Sequence, residues 1–412
     1  MAFEQTPQAT PWKGIIKSSP APYETKQAFW DDLFNIWPYF GRMRTRPRLQ
    51  AAGQSPNGET IWNMIPFLDG LGNLHDLVLT TTQAYMLTPG VTVPVWNGPL
   101  NFPAWDSTLN YILNDQVTVG GVRYVAIQAG INHAPATSPT FWQPLDSSPF
   151  STAVPYGYAI AQGRVYFSNG SAPGAYADGE STIKSMRHPG SFRYCGILAS
   201  HMITANTTEP APGMPNSTRF PSRVRWSASG DPTSWEESAG SSAGHEDLLE
   251  VPDIITGYCT LSRTGFVAHP HGWTMMTPTG LGSRAFQFDT VTHAQKGIGV
   301  YYPPSLDVFG SIACFVAEED VYLFDGSSFT PIGGDMKTRI FTDVQAASAE
   351  TILGSIIARF NTQWPMLSYW LSIPAAKLDQ EPITWIYHWD SQSWSRFRSP
   401  VGRQTAIANL VI

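Results

Sequence analysis

The sequence predicts an all-β protein of short antiparallel strands, and three observations carry that prediction. The first is composition. Of 412 residues only 14% are charged, against about a quarter in ordinary globular chains, while 35 glycines, 34 prolines, 15 tryptophans, 16 tyrosines and 21 phenylalanines supply turns and pleated surface. The second is a repeated strand–turn–strand grammar. Residues 158–169 read YAIAQGRVYFSN, 266–277 read FVAHPHGWTMMT and 315–324 read FVAEEDVYLF. In each, an apolar strand meets a polar pair or a glycine and a second strand follows, as antiparallel hairpins require. The third is the crowding of Trp370, Trp385, Trp389 and Trp394 into 368–397, where large rings with one polar handle suit packing between radially arranged sheets. Repeated four-stranded units without a strict consensus fit a β-propeller, which protects its strand edges by radial repetition. A tandem of β-sandwiches is the alternative.

Taken in order, residues 1–50 carry proline, lysine and aromatic residues with little periodicity and read as an extended arm, with one short helical turn through Phe29, Leu33 and Trp37. The arm's basic run, Arg42, Arg44, Arg46 and Arg48, alternates as on a strand edge and reads as a solvated face. Residues 51–102 form the first part of the propeller, in which LVLTTTQAY at 77–85 is one β segment and 86–89 its turn. Residues 103–147 break the rhythm. This block has its own strands, a Gly120–Gly121 hairpin turn and four spaced aromatics, Trp105, Tyr111, Tyr124 and Trp142. At about forty residues it is near the lower limit for independent folding, and it reads as a small module inserted into a propeller loop. Residues 148–412 supply the remaining blades.

The segment RVRWSASGDPTSW at 223–235 joins a strand to an unusual turn. Val224 and Trp226 point one way and Arg223 and Arg225 the other, the period of a half-buried strand. Gly230, Asp231 and Pro232 then force a turn over which Trp235 can fold back. The segment 236–250 and the arm are the stretches whose composition suits contacts with a neighbour.

Charge and cysteine set bounds. A net charge of −7 and a pI near 5.7 oppose a surface made to grip nucleic acid. Cys195, Cys259 and Cys314 are odd in number, far apart and set in apolar text, so buried free thiols are expected and no disulfide scaffold. The opening MAFEQTPQATPWKG lacks an apolar h-region and no run approaches bilayer length. The expectation is a soluble protein made in a cytoplasm, with no membrane partner.

Catalytic chemistry finds little support. Carboxylates for glycoside hydrolysis could be drawn from Glu236, Glu237, Asp247, Glu318 or Asp320, but the Ser-x-Asp-x-Gly setting of a propeller sialidase is missing, since Ser227 is followed by Ala228 and Ser229. His269 and His271, two apart, would share a strand face and could hold a metal with His293, yet Pro270 between them favours a turn pair. Gly333–Gly334 and 280–282 are turn glycines without the strand–loop–helix context of a phosphate cradle. No cofactor is expected.

Three stretches carry a resemblance: RVRWSASGDPTSW at 223–235, VYLFDGSSFTPIGGDMKTRIFTDV at 321–344, and SYWLSIPAAKLDQEPITWIYHWDSQSWSRF at 368–397. Their order and frame resemble the tail nozzle, or tail-hub, proteins of short-tailed bacteriophages, with Arg223, Arg225, Trp226, Gly230, Asp231, Pro232, Trp235, Asp325, Gly326, Trp370, Trp389 and Trp394 as the matching positions. GRVYFSNG at 163–170 and TRPRLQ at 45–50 fall in the expected order too. The resemblance implies a non-enzymatic virion protein of β-propeller fold that forms a homo-oligomeric sixfold ring under the portal and adaptor. It implies contacts with the tail adaptor or head-to-tail connector, with tail fibres or spikes and with a needle or plug protein. Genomic DNA would pass through the lumen without sequence-specific contact. The insert resembles a three-stranded chitin- or cellulose-binding module through Tyr111, Asp115, Val117, Gly121, Tyr124, Pro135, Pro139 and Trp142. That implies sugar stacking on Trp105, Tyr111, Tyr124 and Trp142, and makes a glycan- or receptor-binding tail component the alternative function. A propeller glycosidase is a third reading.

Overall fold

The computed structural model of the protein describes residues 58–398 apart from 60, 89–94, 146–154, 211–216, 239, 252, 282–283, 292–296, 351–356, 362–366, 374–382 and 390–391, together with four short strands nearer the N-terminus. Six four-stranded antiparallel sheets lie among these residues, each with its strands hydrogen-bonded in chain order. That up-and-down meander is the propeller blade, and the fold is an all-β propeller with an inserted three-stranded module. The chain divides into two compact units, 52–303 and 1–51 with 304–412.

In the unit 52–303 the first blade comprises Ile61–Leu68, Leu74–Thr80, Ala84–Thr88 and Val95–Pro99, and the second Gly157–Ala161, Arg164–Ser168, Ala175–Ala177 and Lys184–Ser185. The third is Ser191–Leu198, His201–Pro210, Ser217–Trp226 and Gly244–Asp247, and the fourth Gly257–Leu261, Thr264–His269, Gly272–Leu281 and Arg284–Thr290. The first strands of the second, third and fourth blades lie side by side, the inner edge of a radial array. Val224 and Trp226 enter a core with Leu198, Ile203, Ala205, Tyr258, Val267, Met276 and Phe286 that joins the third blade to the fourth. Burial of each such side chain contributes about 1.5–3 kcal/mol.

The other unit holds the fifth blade, Asp307–Phe309, Ile312–Val316, Val321–Phe324 and Phe329–Pro331, and the sixth, Ile357–Asn361, Ser368–Ile373, Ile383–His388 and Ser393–Arg398. Their first strands again lie together, and the Tyr369 hydroxyl donates to the Ser305 carbonyl at 2.6 Å.

The hairpins read at 158–169, 266–277 and 315–324 all form. Two expectations are corrected, and one element is new. Residues 77–85 are not one strand, because the chain turns at 81–83 and 86–88 belong to the next strand; Thr80 closes the turn by accepting from and donating to Gln83. Trp37 lies in the strand Ile36–Tyr39, paired with Arg42–Thr45, and not in a helical turn with Phe29 and Leu33, which lie outside the described residues. The run after Pro331 is a helix, Lys337–Glu350, entered through a turn at Gly334–Met336. Met336, Ile340 and Val344 are buried at a spacing of four, the pattern that marks a helix face.

Candidate functional site

The residues of the resemblance are placed in ion pairs, turns and ring contacts within blades, and at Trp226 and Trp235 in the cores between them. Arg225 is flanked on its sheet by His245 and faces two carboxylates: its Nε and Nη2 donate to Glu209 at 3.1 and 2.7 Å, and its Nη1 donates to Glu237 at 2.7 Å. Arg223 donates to both oxygens of Asp247 at 2.7 and 2.8 Å and reaches Glu209 at 3.4 Å, with its guanidinium over the Phe220 ring. The alternation predicted a face open to water. The structure buries both faces instead, with side-chain exposures of 9% for Arg225 and 3% for Glu209.

Burial pushes the Glu209 carboxyl up, but neighbouring His188 and Arg225 charge and the Arg225 hydrogen bonds outweigh it and bring the pKa down to about 2. Burial also pushes His188 down to about 4. His188 is therefore neutral at pH 7, and Arg225 is what holds Glu209 ionised. The segment 236–250, read as a neighbour contact, is thus part of this blade through Glu237, His245 and Asp247.

The turn after this strand forms as its residues dictate. Gly230 has a φ of 77°, and the Asp231 carboxylate accepts from the Thr233 amide and hydroxyl at 2.9 and 2.7 Å. Trp235, however, does not fold back over it. It enters the core between the second and third blades with Tyr166, Met186, Phe192 and Met202, and its Nε1 donates to the Met186 carbonyl at 3.1 Å.

Similar stitches recur along the unit 52–303. The Tyr156 hydroxyl donates to the Thr80 carbonyl at 3.0 Å, Gln162 to the Gly230 carbonyl at 2.8 Å, and Thr260 to the Ile197 carbonyl at 2.8 Å. Asn206 sits in left-handed backbone at a β-bulge and reaches the Ile255 carbonyl at 2.9 Å. Beside the Gly157 position, an added Cβ would stand 2.2 Å from the Arg193 carbonyl oxygen, so the innermost strands of the second and third blades meet backbone to backbone.

In the other unit, Trp394 donates to the Ile332 carbonyl at 2.7 Å and Trp370 to the Ser368 hydroxyl at 2.8 Å, while Trp389 packs edge-on to Tyr387. Asp343 on the helix accepts from Trp385 at 2.9 Å and Arg396 at 3.1 Å. Asp325 closes its turn with the Ser327 and Ser328 amides, and Gly326 takes a φ of 95°. Gly333 does stand in a strand–loop–helix setting, contrary to expectation. Its amide is already bonded to the buried Asp320 carboxylate at 3.1 Å, so no phosphate cradle is open there.

The inserted module forms the sheet Gln116–Val119, Val122–Ala126, Trp142–Pro144 and a small ribbon of Asn110–Tyr111 with Gly130–Ile131. Gly120 and Gly121 take φ values of 57° and 82°, the paired positive values of a two-residue hairpin turn. Of the four proposed sugar-stacking rings two are core and two lean on that core. Tyr111 and Trp142 are buried with Val117 and Ala126, and Trp105 and Tyr124 pack half-buried against them. Tyr111 and Trp142 meet edge to face at 5.1 Å, and Trp142 donates to the His133 carbonyl at 2.7 Å. A forty-residue unit needs these rings inside to fold. Its exposed apolar residues are instead aliphatic: Leu109, Ile112, Leu113, Val122, Ile127 and Ile131.

A polar seam ties the module to the second blade. Arg187 pairs with Asp115 at 2.7 Å, Ser185 donates to the Asn114 carbonyl at 2.6 Å, and Gln116 reaches the Gly174 carbonyl at 3.3 Å.

The remaining chemical candidates are separated or committed. His269 is buried and meets Thr274 at 3.2 Å, while His271 lies at the turn against Asp253 at 2.9 Å, so they do not share a face; His293 lies outside the described residues. No group of three metal-ligating side chains occurs among the described residues. The three cysteines are free, and burial raises the thiol pKa of each. No described helix is long and apolar enough to cross a membrane.

No family model and no curated protein matches the chain. Among solved structures, it is similar to BamB from Moraxella catarrhalis at 10% identity and a TM-score of 0.39, over 83% of this chain and 75% of that one. It is similar to a quinoprotein alcohol dehydrogenase-like protein from Bacteroides thetaiotaomicron at 10% identity and 0.40, over 84% and 67%. An ancestral GH74 enzyme aligns at 10% identity and 0.38, over 79% of this chain and 41% of its own.

Proposed function

We propose that the chain is a non-enzymatic structural protein of a bacteriophage tail, a subunit of the ring-shaped nozzle that retains and conducts the genome and anchors tail appendages. The observation that carries this reading is the use to which the resembling residues are put. Arg223, Arg225, Trp226, Trp235, Trp370 and Trp394 are spent on ion lattices and on indole hydrogen bonds, to carbonyls or, for Trp370, to a serine hydroxyl, inside and between blades, which is what a stiff wall needs. A net charge of −7 suits a conduit along which DNA slides without being gripped.

Cryo-electron microscopy of purified virions tests the reading. The expected result is this chain in a closed ring at the distal end of the tail tube, around a lumen wide enough for DNA. A monomer at the periphery of the particle would refute it, and would favour an adsorption role for the module. Deletion of 103–147 separates the two further: loss of particle assembly is expected of a wall subunit, and loss of host adsorption alone of an adsorption component.

A further inference from the structure

Two segments hold most of the large apolar side chains that the described structure exposes. One is the hairpin tip between the first two strands of the first blade, with Leu68, Leu71 and Leu74; the other is the module, with Leu109, Leu113 and Ile131 among its exposed aliphatics. Isolated surface leucines need no explanation, but such clusters mark association surfaces.

The tip is built, not frayed. Asp69 accepts from the Leu71 and Asn73 amides at 2.8 Å each, from the Asn73 side chain at 2.9 Å and from His75 at 3.0 Å. Gly72 takes a φ of 85° and donates to the Asp69 carbonyl at 3.0 Å. The tip also leans on the second blade, where a Cβ at Gly163 would stand 2.5 Å from the Gly70 nitrogen. This bracing holds Leu71, 89% exposed, in a fixed position. A rigid apolar anchor loses little conformational entropy on docking. The tip carries no Lys, Arg, Trp or Tyr between 68 and 76 but does carry Asp69 and Asp76, the wrong chemistry for an anionic membrane surface.

Topology places the two surfaces at opposite ends of one unit. The tip joins a first strand to a second, at the turn end of the first blade. The module follows that blade's fourth strand and precedes the next blade's first, and its seam partners Gly174, Ser185 and Arg187 lie at that same strand-start end. A chain therefore cannot cover its own tip with its own module, whereas the next copy can. A two-fold contact of tip on tip would leave every module bare; a head-to-tail contact covers both surfaces on every copy, and closes into a ring when the rotation between copies allows.

We propose that the leucine tip at 68–74 docks on the aliphatic surface of the inserted module of a second copy of this chain, head to tail. The inference rests on the ring reading above and supplies its interface.

The test is cross-linking of the full chain with light scattering, using positions exposed enough that the variants fold. L71C and L113C chains, both carrying C195S because Cys195 is only half-buried, mixed and treated with a short bismaleimide, are expected to give a covalent dimer that neither gives alone, because Cys259 and Cys314 are buried. The double variant is expected to give a ladder ending at the subunit number of the ring, and L71D to lower the oligomer's mass to that of the monomer. An L71C chain that links to itself overturns the head-to-tail contact. So does L71D with unchanged oligomer mass, and in that case the ring reading stands. A wild-type chain that is monomeric at tens of micromolar overturns both. Flotation with phosphatidylcholine vesicles that L71D abolishes would assign the tip to a bilayer and overturn the contact.

Discussion

The inserted module and the third blade are β units of similar size that spend their aromatic side chains in opposite ways. The module turns Tyr111, Trp142, Trp105 and Tyr124 onto each other, whereas the blade sends Trp226 into a core shared with the fourth blade and Trp235 into one shared with the second. The polar groups divide the same way. The module meets its host through a half-exposed ion pair and a neutral amide contact, while the blade buries the charges of Arg225 and Glu209. A unit with a closed core can be attached or removed by a polar seam; a unit whose core is half its neighbour's cannot.

Breaking the blade's lattice is expected to have the largest effect. R225A takes from buried Glu209 its two-pronged cation and leaves only Arg223, at 3.4 Å, and should cost about 3 kcal/mol, read as a lower urea midpoint for the blades with the module's own transition unmoved. W142A should cost about 3–5 kcal/mol within the module, so that amide exchange accelerates at 116–126 while 257–276 stays protected; acceleration in both would show that the two units fold as one.

Acid supplies the next effect. The His188 pKa is pushed from 6.5 to about 4 by burial, so the unfolded chain takes up the proton first. The stability from keeping this imidazole neutral is complete above pH 6.5 and is lost as pH falls towards 4, at most roughly 3 kcal/mol. Glu209 follows lower, between 4.5 and about 2. Melting temperature against pH should therefore fall below 6.5 in the wild type and fall less steeply between 6.5 and 4 in H188Q, the remaining slope belonging to His388 and His269, which burial also pushes down. The smallest effect belongs to the seam. R187A removes a pair whose arginine is 39% exposed, worth at most about 1 kcal/mol, and should speed exchange at 112–116 without shifting the blade transition.

The blades were legible because their hairpins alternate and their turns carry glycine, as at Gly163. The Gly120–Gly121 turn was legible for the same reason. Less visible was what faces what. Arg223 and Arg225 read as the polar face of a half-buried strand because periodicity records alternation, and cannot record that Glu209, Glu237 and Asp247 come from elsewhere to cover them. The module's rings matched a sugar-binding frame because the same spacing of aromatics serves a core and a platform, and only burial tells them apart. The helix Lys337–Glu350 was masked by a turn-rich approach, although Met336, Ile340 and Val344 were in place to announce it.

The contact at Gly157 has a mechanical consequence. Where two blades meet through side chains, a methyl more or less can change their separation, and pressure or strain can be absorbed by rotamers. Where they meet as backbone on backbone, with no space for a single carbon, there is nothing soft to compress. The second and third blades thus have a hard stop between their innermost strands: a thrust arriving on one is handed to the other undiminished, and G157A should act as a wedge that opens this joint.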